Sequence, residues 1–269
     1  MFITRLLSGI VLVIAAIVLL FFGDIWLAAV LLILSQIGIY ELLRVFRLDR
    51  NPMTLIVYLE TAVYYTILYL GKEWWTQGLL VLELVILLVV YVVRYPKDRI
   101  DMVAKCFFVS VYVALLLSFI YQTRCLPGGE WLVWLIIIGS WGSDTCAYVV
   151  GMLMGKHHFS ELSPKKTVEG CVGGVVGAAL IGFGYACFFP YRDMFLITPK
   201  LVFPLVVAIS AVISQFGDLA ASAIKRNFEI KDYGDLIPGH GGVLDRFDSV
   251  IFCAPLIELL IRTLPAIGR

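Results

Sequence analysis

Long apolar runs separated by brief polar stretches fill the chain. Each run approaches the roughly 20 residues that a membrane-crossing helix needs. The pattern predicts nine spans, at Leu6–Phe22, Ile25–Leu43, Met53–Leu70, Trp74–Tyr95, Met102–Tyr121, Trp131–Val150, Cys171–Phe189, Leu201–Ala221 and Ser249–Ile261. The last is short and contains Pro255, so a kinked or interfacial segment there would leave eight. The expected fold is all-α, a polytopic membrane protein of about nine helices. Connections are brief up to Leu126, so residues 1–126 read as membrane helices and little else. Residues 127–269 add two polar loops, 156–170 and 222–248, which makes this part the expected catalytic half.

Composition narrows the class. Of 269 residues, 61% are hydrophobic and 15% charged, against about 45–50% and about 25% in soluble domains. So few charges could not cover a soluble enzyme of this size, and the hydrophobicity excludes disorder. The net charge of +1 gives no reason to expect nucleic-acid binding. Arg5 and the first apolar run lack a cleavable signal peptide's short core and polar exit, so a retained helix is expected. With the N-terminus in the cytoplasm and nine crossings, 15 of the 21 Lys and Arg fall on the cytoplasmic side. The six cysteines form no CxxC pair and read as small buried hydrophobes.

Candidate chemistry concentrates between Gly217 and Ser249. Asp218 lies in the last turns of an apolar helix, and Pro238-Gly239-His240-Gly241-Gly242 stands just before the Asp245-Arg246-x-Asp248 run, with Val243 and Leu244 between. Glycines allow a tight turn and close approach to a phosphate. Asp245 and Asp248 are three apart and share a face on a helix. With Asp218 they supply the oxygens that a hard divalent cation prefers. Ser222, Lys225, Arg226 and Lys231 add polar and cationic groups to the same stretch. A solvated loop is the bland alternative, but such a loop has no need of Asp218.

A second stretch starts at Asp144, a carboxylate several residues into an apolar run, where burial is costly and usually functional or paired. It continues through Gly155-Lys156 to Ser163-Pro164-Lys165-Lys166-Thr167-x-Glu169-Gly170. Lys165, Lys166 and Thr167 sit just before a predicted helix, where cations and free N–H groups suit phosphate oxygens. Lys165-Lys166 alone would serve equally as a topology anchor.

Other signals are weaker. Gly151-x-x-x-Gly155-Lys156 is one residue short of a Walker motif and has no preceding strand. These glycines and Gly173-x-x-x-Gly177 suit close helix packing instead. His157 and His158 lack zinc partners at ligand spacing. Glu60 and Glu83 are mid-span acids that are protonated, paired or facing a cavity. No inverted repeat supports a transporter.

The segment Ser222–Asp248 resembles the signature of the phosphatidate cytidylyltransferases, also called CDP-diacylglycerol synthases, through its Lys225-Arg226, Pro238–Gly242, Asp245-Arg246 and Asp248. Asp144, Gly155-Lys156 and Ser163–Gly170 resemble the upstream pattern of the same family. The resemblance implies an integral membrane enzyme, often dimeric, that condenses CTP with phosphatidic acid in phospholipid synthesis. In bacteria such enzymes sit in the inner membrane. It implies Mg²⁺ or Mn²⁺ held by Asp218 and Asp245, with Asp144 and Asp248 as further acids and a second cation assisting. Lys165, Lys166, Lys225, Arg226 and Arg246 would meet phosphates, with Ser163, Thr167, Ser222, His240, Gly241 and Gly242 lining the substrates. A CTP-dependent lipid kinase, attacked at the γ-phosphate, is the nearest rival, and an ion transporter the non-enzymatic one.

Overall fold

The computed structural model describes residues 2–164, 166–191, 194–237, 239 and 241–264. The helices are α1 (Phe2–Phe22), α2 (Asp24–Val45), α3 (Met53–Tyr69), α4 (Thr76–Val93), α5 (Ile100–Arg124), α6 (Gly129–Met154), α7 (Val168–Phe188), α8 (Pro199–Asn227) and α9 (Leu244–Thr263). Among the described residues there is no sheet, only the isolated bridges His158–Thr167 and Ile237–Gly241.

Each predicted span has a helical counterpart, but the expected nine crossings are not all supported. Among the described residues, six helices are long and apolar enough to cross a membrane: α2, the stretch Glu73–Val93 that includes α4, and α5 to α8. α1 counts with its stretch Gly9–Phe22 alone, the part whose side chains are described. Two others fall short for physical reasons. α3 has 17 residues, which at 1.5 Å per residue reaches roughly 26 Å against a hydrocarbon core of about 30 Å. α9 carries Asp245, Arg246, Asp248, Glu258 and Arg262, too many charges for an apolar crossing. The assignment of Lys and Arg to sides assumed nine alternating crossings and loses its basis with six.

The chain forms two compact units. The first comprises Met1–Tyr121 and the later segment Asp232–Asp245. Polar pairs tie its helices together: Ser35 Oγ and Tyr65 OH are 2.9 Å apart, and Tyr64 OH and Ser118 Oγ 3.1 Å. Glu60 and Glu83 are both buried here, and Glu60 Oε2 accepts from Ser110 at 3.0 Å. Ser110 opens a π-helical turn, Ser110–Leu115, within α5.

The second unit comprises Gln122–Lys231 and Arg246–Arg269. Its centre is the close packing of α6 on α7. A Cβ on Gly174 would meet the Ala147 Cβ and the Ser143 carbonyl oxygen at 2.9 Å, and one on Gly177 would meet Cys146 Sγ at 2.6 Å. The glycine spacing therefore works as a packing device. Gln215 Nε2 on α8 donates to the Cys171 carbonyl on α7 at 3.0 Å. All six cysteines are free thiols; Cys106, Cys171 and Cys253 are buried, whereas Cys125 and Cys187 are exposed, contrary to the expectation that they pack inside.

Candidate active site

In the second unit, a π-helical turn at Ile138–Gly142 immediately precedes Ser143-Asp144 on α6. Such a turn shifts the helical phase and recurs at functional sites. Asp144 is half-buried, is hydrogen-bonded to the Ser249 side chain, and lies within electrostatic reach of Lys166, Asp218 and Arg246.

The loop after α6 is held by local bonds that seat Lys166. Glu169 accepts from the backbone N–H groups of Lys156 and His157 at 3.1 and 3.2 Å, and its other oxygen is 2.6 Å from His157 Nδ1. The Phe159 N–H donates to the Lys166 carbonyl, and the Lys166 N–H to that of Ser163. Thr167 caps α7 by accepting from the Gly170 N–H at 3.1 Å. Lys166 Nζ is then 2.5 Å from Asp218 Oδ2 on α8.

Gly217, next to Asp218, lets α9 approach: a Cβ there would be 2.6 Å from the Asp248 carbonyl oxygen. The Asp248 carboxylate accepts from the Ser249 N–H at 2.8 Å. Burial and the adjacent Asp218 carboxylate push the Asp248 carboxyl up from its ordinary range, with Asp144 adding to the effect and Lys225 opposing it. Asp144, Asp218 and Asp248 thus form a cluster of three carboxylates within electrostatic reach of Lys166, Lys225 and Arg246. Among the described residues, no three His, Cys, Asp or Glu side chains stand close enough to hold a metal ion as they are. The donors are all carboxylate oxygens, which is the chemistry that fits Mg²⁺ or Mn²⁺.

In the first unit, the segment Asp232–Asp245 is built around two carboxylates. Glu41 on α2 is buried, and its oxygens accept from the Val243 and Leu244 N–H groups, both at 2.9 Å. Asp245 Oδ2 accepts from the Tyr233 N–H at 2.8 Å and the Gly242 N–H at 3.0 Å. Gly241 has φ +87°, a left-handed conformation, and a Cβ on it would meet Asp245 Oδ2 at 2.8 Å. A Cβ on Gly242 would press on Glu41 Oε1 at 2.5 Å. The turn needs glycine at both positions.

Of the predicted site residues, the second unit brings together Asp144, Lys166, Asp218 and Asp248, with Lys225 and Arg246 in electrostatic reach. Ser222 is half-buried on α8, and Arg226 is exposed in its last turn. Ser163 and Thr167 help shape the Lys166 loop. Gly241, Gly242 and Asp245 lie in the first unit's turn. Lys165 and His240 lie outside the described residues. Sequence reasoning missed Glu41 and gave Glu169 no role of its own. Glu41's one signal was an acid near the end of an apolar run, three residues before Arg44.

Among the described residues six helices are long and apolar enough to cross a membrane, which defines an integral membrane protein, and the second unit gathers Lys166 with Asp144, Asp218 and Asp248. The chain belongs to the cytidylyltransferase family, which it matches over residues 3–264. It is similar to a phosphatidate cytidylyltransferase of Staphylococcus saprophyticus, 37% identical over 162 residues, covering 59% of this chain and 58% of that protein. The phosphatidate cytidylyltransferase of Staphylococcus aureus strain COL is 35% identical over a stretch of the same extent. That of Bacillus subtilis is 28% identical over 266 residues, 96% of each chain. The match to the staphylococcal proteins spans 58% of their length.

Proposed function

We propose that this chain transfers the cytidylyl group of CTP to phosphatidic acid, giving CDP-diacylglycerol and pyrophosphate, in a bacterial cytoplasmic membrane. The observation that carries the reading is the seating of Lys166 against Asp218 beside Asp144 and Asp248. Two polyanions must approach each other in this reaction, so cations and a partly enclosed carboxylate cluster belong at one place. Family membership and the phosphatidate cytidylyltransferase names of the bacterial relatives support the same reaction.

A phosphatidate oxygen attacks the α-phosphorus of CTP, the bond to the β-phosphate oxygen breaks, and pyrophosphate leaves. The phosphate monoester is largely ionised near neutral pH, since its second pKa is about 6. No strong general base is needed. Lys166, Lys225 and Arg246 offset the triphosphate charge. Arg226, Lys165, Ser163, Thr167, Ser222 and His240 keep the substrate-binding roles that the motif resemblance implies. Asp144, Asp218 and Asp248 would hold Mg²⁺ or Mn²⁺, and the motif resemblance implies that a second cation assists. When bound, such an ion offsets charge on the nucleotide phosphates and the departing pyrophosphate. Asp245, which the resemblance also assigns to the metal, keeps the glycine turn in shape through Oδ2. The nucleotide side of the site faces the cytoplasm, where CTP is found, and the working form is a homodimer.

Purified protein given phosphatidate, Mg²⁺ and CTP labelled at the α or the γ position tests this reading. It requires α label in lipid and γ label in pyrophosphate. Transfer of γ label to a lipid acceptor would make the chain a lipid kinase.

A further inference from the structure

In the second unit, the loop of residues 155–167 leaves the end of α6 and returns to the start of α7, with Lys166 on its returning side. We infer that Glu169, in the first turn of α7, is the positioning residue that fixes Lys166 against Asp218 for the reaction. The inference rests on the proposed cytidylyl transfer and deepens it by naming the group that holds Lys166 in place.

A lysine ammonium stands on a flexible four-carbon stem, and keeping it in one place costs rotamer freedom. Its address therefore depends on how firmly the backbone below it is held. Lys166 Nζ is buried, 2.5 Å from Asp218 Oδ2. Main-chain bonds across the loop do part of the holding. The Phe159 N–H donates to the Lys166 carbonyl, and the Val168 N–H to the His157 carbonyl, both at 2.9 Å. They flank a single antiparallel bridge, His158–Thr167. So short a pairing is marginal in water without further support.

Glu169 supplies that support. Its carboxylate reaches back 12 and 13 positions to the departing side of the loop. Oε2 accepts from the Lys156 and His157 N–H groups at 3.1 and 3.2 Å, and Oε1 is 2.6 Å from His157 Nδ1. A carboxylate only accepts, so the Nδ1 of His157 is the donor. Bonds to an ionised acceptor are roughly twice as strong as neutral ones. Two adjacent main-chain N–H groups and a ring nitrogen fix the direction of the departing strand as well as its distance. Thr167 closes the returning side. It caps α7 through the Gly170 N–H, and a Cβ on Gly155 would lie 2.8 Å from its Oγ1, so Thr167 packs on the end of α6.

Glu169 acts on the reaction through this backbone alone. Its charge is engaged by the loop's own N–H groups and ring, and a carboxylate would repel substrate phosphates. Lys166, in contrast, is proposed to offset the triphosphate charge. A misplacement of about 1 Å at a reacting centre costs up to about 100-fold in rate. Loss of the Glu169 clamp should therefore slow transfer more than it weakens the fold, because the α6–α7 packing at Gly174 and Gly177 lies outside the loop.

A double-mutant cycle in the full-length protein in detergent tests the assignment, with Glu169→Ala made in the parent and in Lys166→Ala. In the parent background kcat for transfer should fall about tenfold, with KM for phosphatidate within about twofold. In the Lys166→Ala background the same change should cost less than about twofold, because the group it positions is gone. Equal losses in both backgrounds, or a parent-like kcat in Glu169→Ala, overturn the proposal. Glu169→Gln keeps one acceptor oxygen and should lose about threefold. Where Glu169→Ala does not fold, Glu169→Gln carries the test alone, and a parent-like rate overturns the proposal. Acetylation of Lys166 by acetic anhydride, followed by mass spectrometry, reads the seating without turnover. It should quicken several-fold in Glu169→Ala. Faster labelling of that variant, in a protein whose parent does not transfer cytidylyl to phosphatidate, would reject the proposed reaction and leave the clamp standing. Transfer by the parent, with labelling of Lys166 unchanged in the variant, would do the reverse.

Discussion

Lys166 and Asp218 form an ion pair of 2.5 Å between the loop after α6 and the C-terminal half of α8, with side chains only 21% and 26% exposed. An ammonium group is thus already placed where carboxylates from three helices gather. A charge pair this enclosed is far more sensitive to loss of one partner than a surface pair. The arrangement concentrates the tests of function on a few side chains.

Replacement of Asp218 by Asn keeps the shape and removes the charge. Cytidylyl transfer should fall by at least about 100-fold, the scale of losing a phosphoryl-stabilising group. Mn²⁺ binding, followed by electron paramagnetic resonance, should weaken in parallel. An unchanged rate and unchanged metal dependence would show that Asp218 has no part in holding the ion.

Removal of divalent cations with EDTA should abolish transfer. Mg²⁺ or Mn²⁺ should restore it, and Na⁺ alone should not, because three carboxylates and a triphosphate demand a compact charge. Initial rates in a metal-buffer series check this. Turnover that persists in excess EDTA would count against the proposed metal role.

The α6–α7 packing supplies a contrast between glycines. Gly174→Ala drives a methyl group to 2.9 Å from the Ser143 carbonyl oxygen, whereas nothing lies within 4 Å of a Cβ on Gly184. Gly174→Ala should lower the melting temperature and cut transfer about tenfold or more, because Ser143 adjoins Asp144. Gly184→Ala should leave the melting temperature unchanged and transfer within about twofold of the parent, and serves as the matched control. Equal effects of the two changes would remove the packing argument.

Glu41→Ala strips the acceptors from two buried N–H groups, each costing about 1–3 kcal/mol when left unmade. Amide exchange at Val243 and Leu244 should quicken, and KM for CTP should rise. Glu41→Gln retains one acceptor oxygen and should fall between parent and Ala. Exchange at those amides that matches the parent would show that the clamp does not hold the turn.

The helices were legible because apolar runs need no distant partner to be recognised. The number of crossings was not. α3 reads as apolar yet ends after 17 residues, and the charges of α9 lie inside the helix rather than before it. Asp144 and Asp218 stood out as acids in apolar surroundings, and the fold does gather them with Lys166 and Asp248. Glu41 stood in a comparable setting, but its meaning comes from backbone groups 202 and 203 positions away. No local pattern encodes a bond of that span. The role of Glu169 was equally hidden, since its partners are main-chain N–H groups of the loop it faces.

The bond from Glu41 to Val243 and Leu244 also imposes an order on biogenesis. α2 leaves the ribosome and enters the bilayer long before residues 243 and 244 exist. During synthesis the Glu41 carboxyl must therefore wait without the acceptor role it later fills. The glycine turn receives its final shape only after Val243 and Leu244 have been translated. A nascent chain arrested before that point would own α1 to α8 and still lack a finished turn.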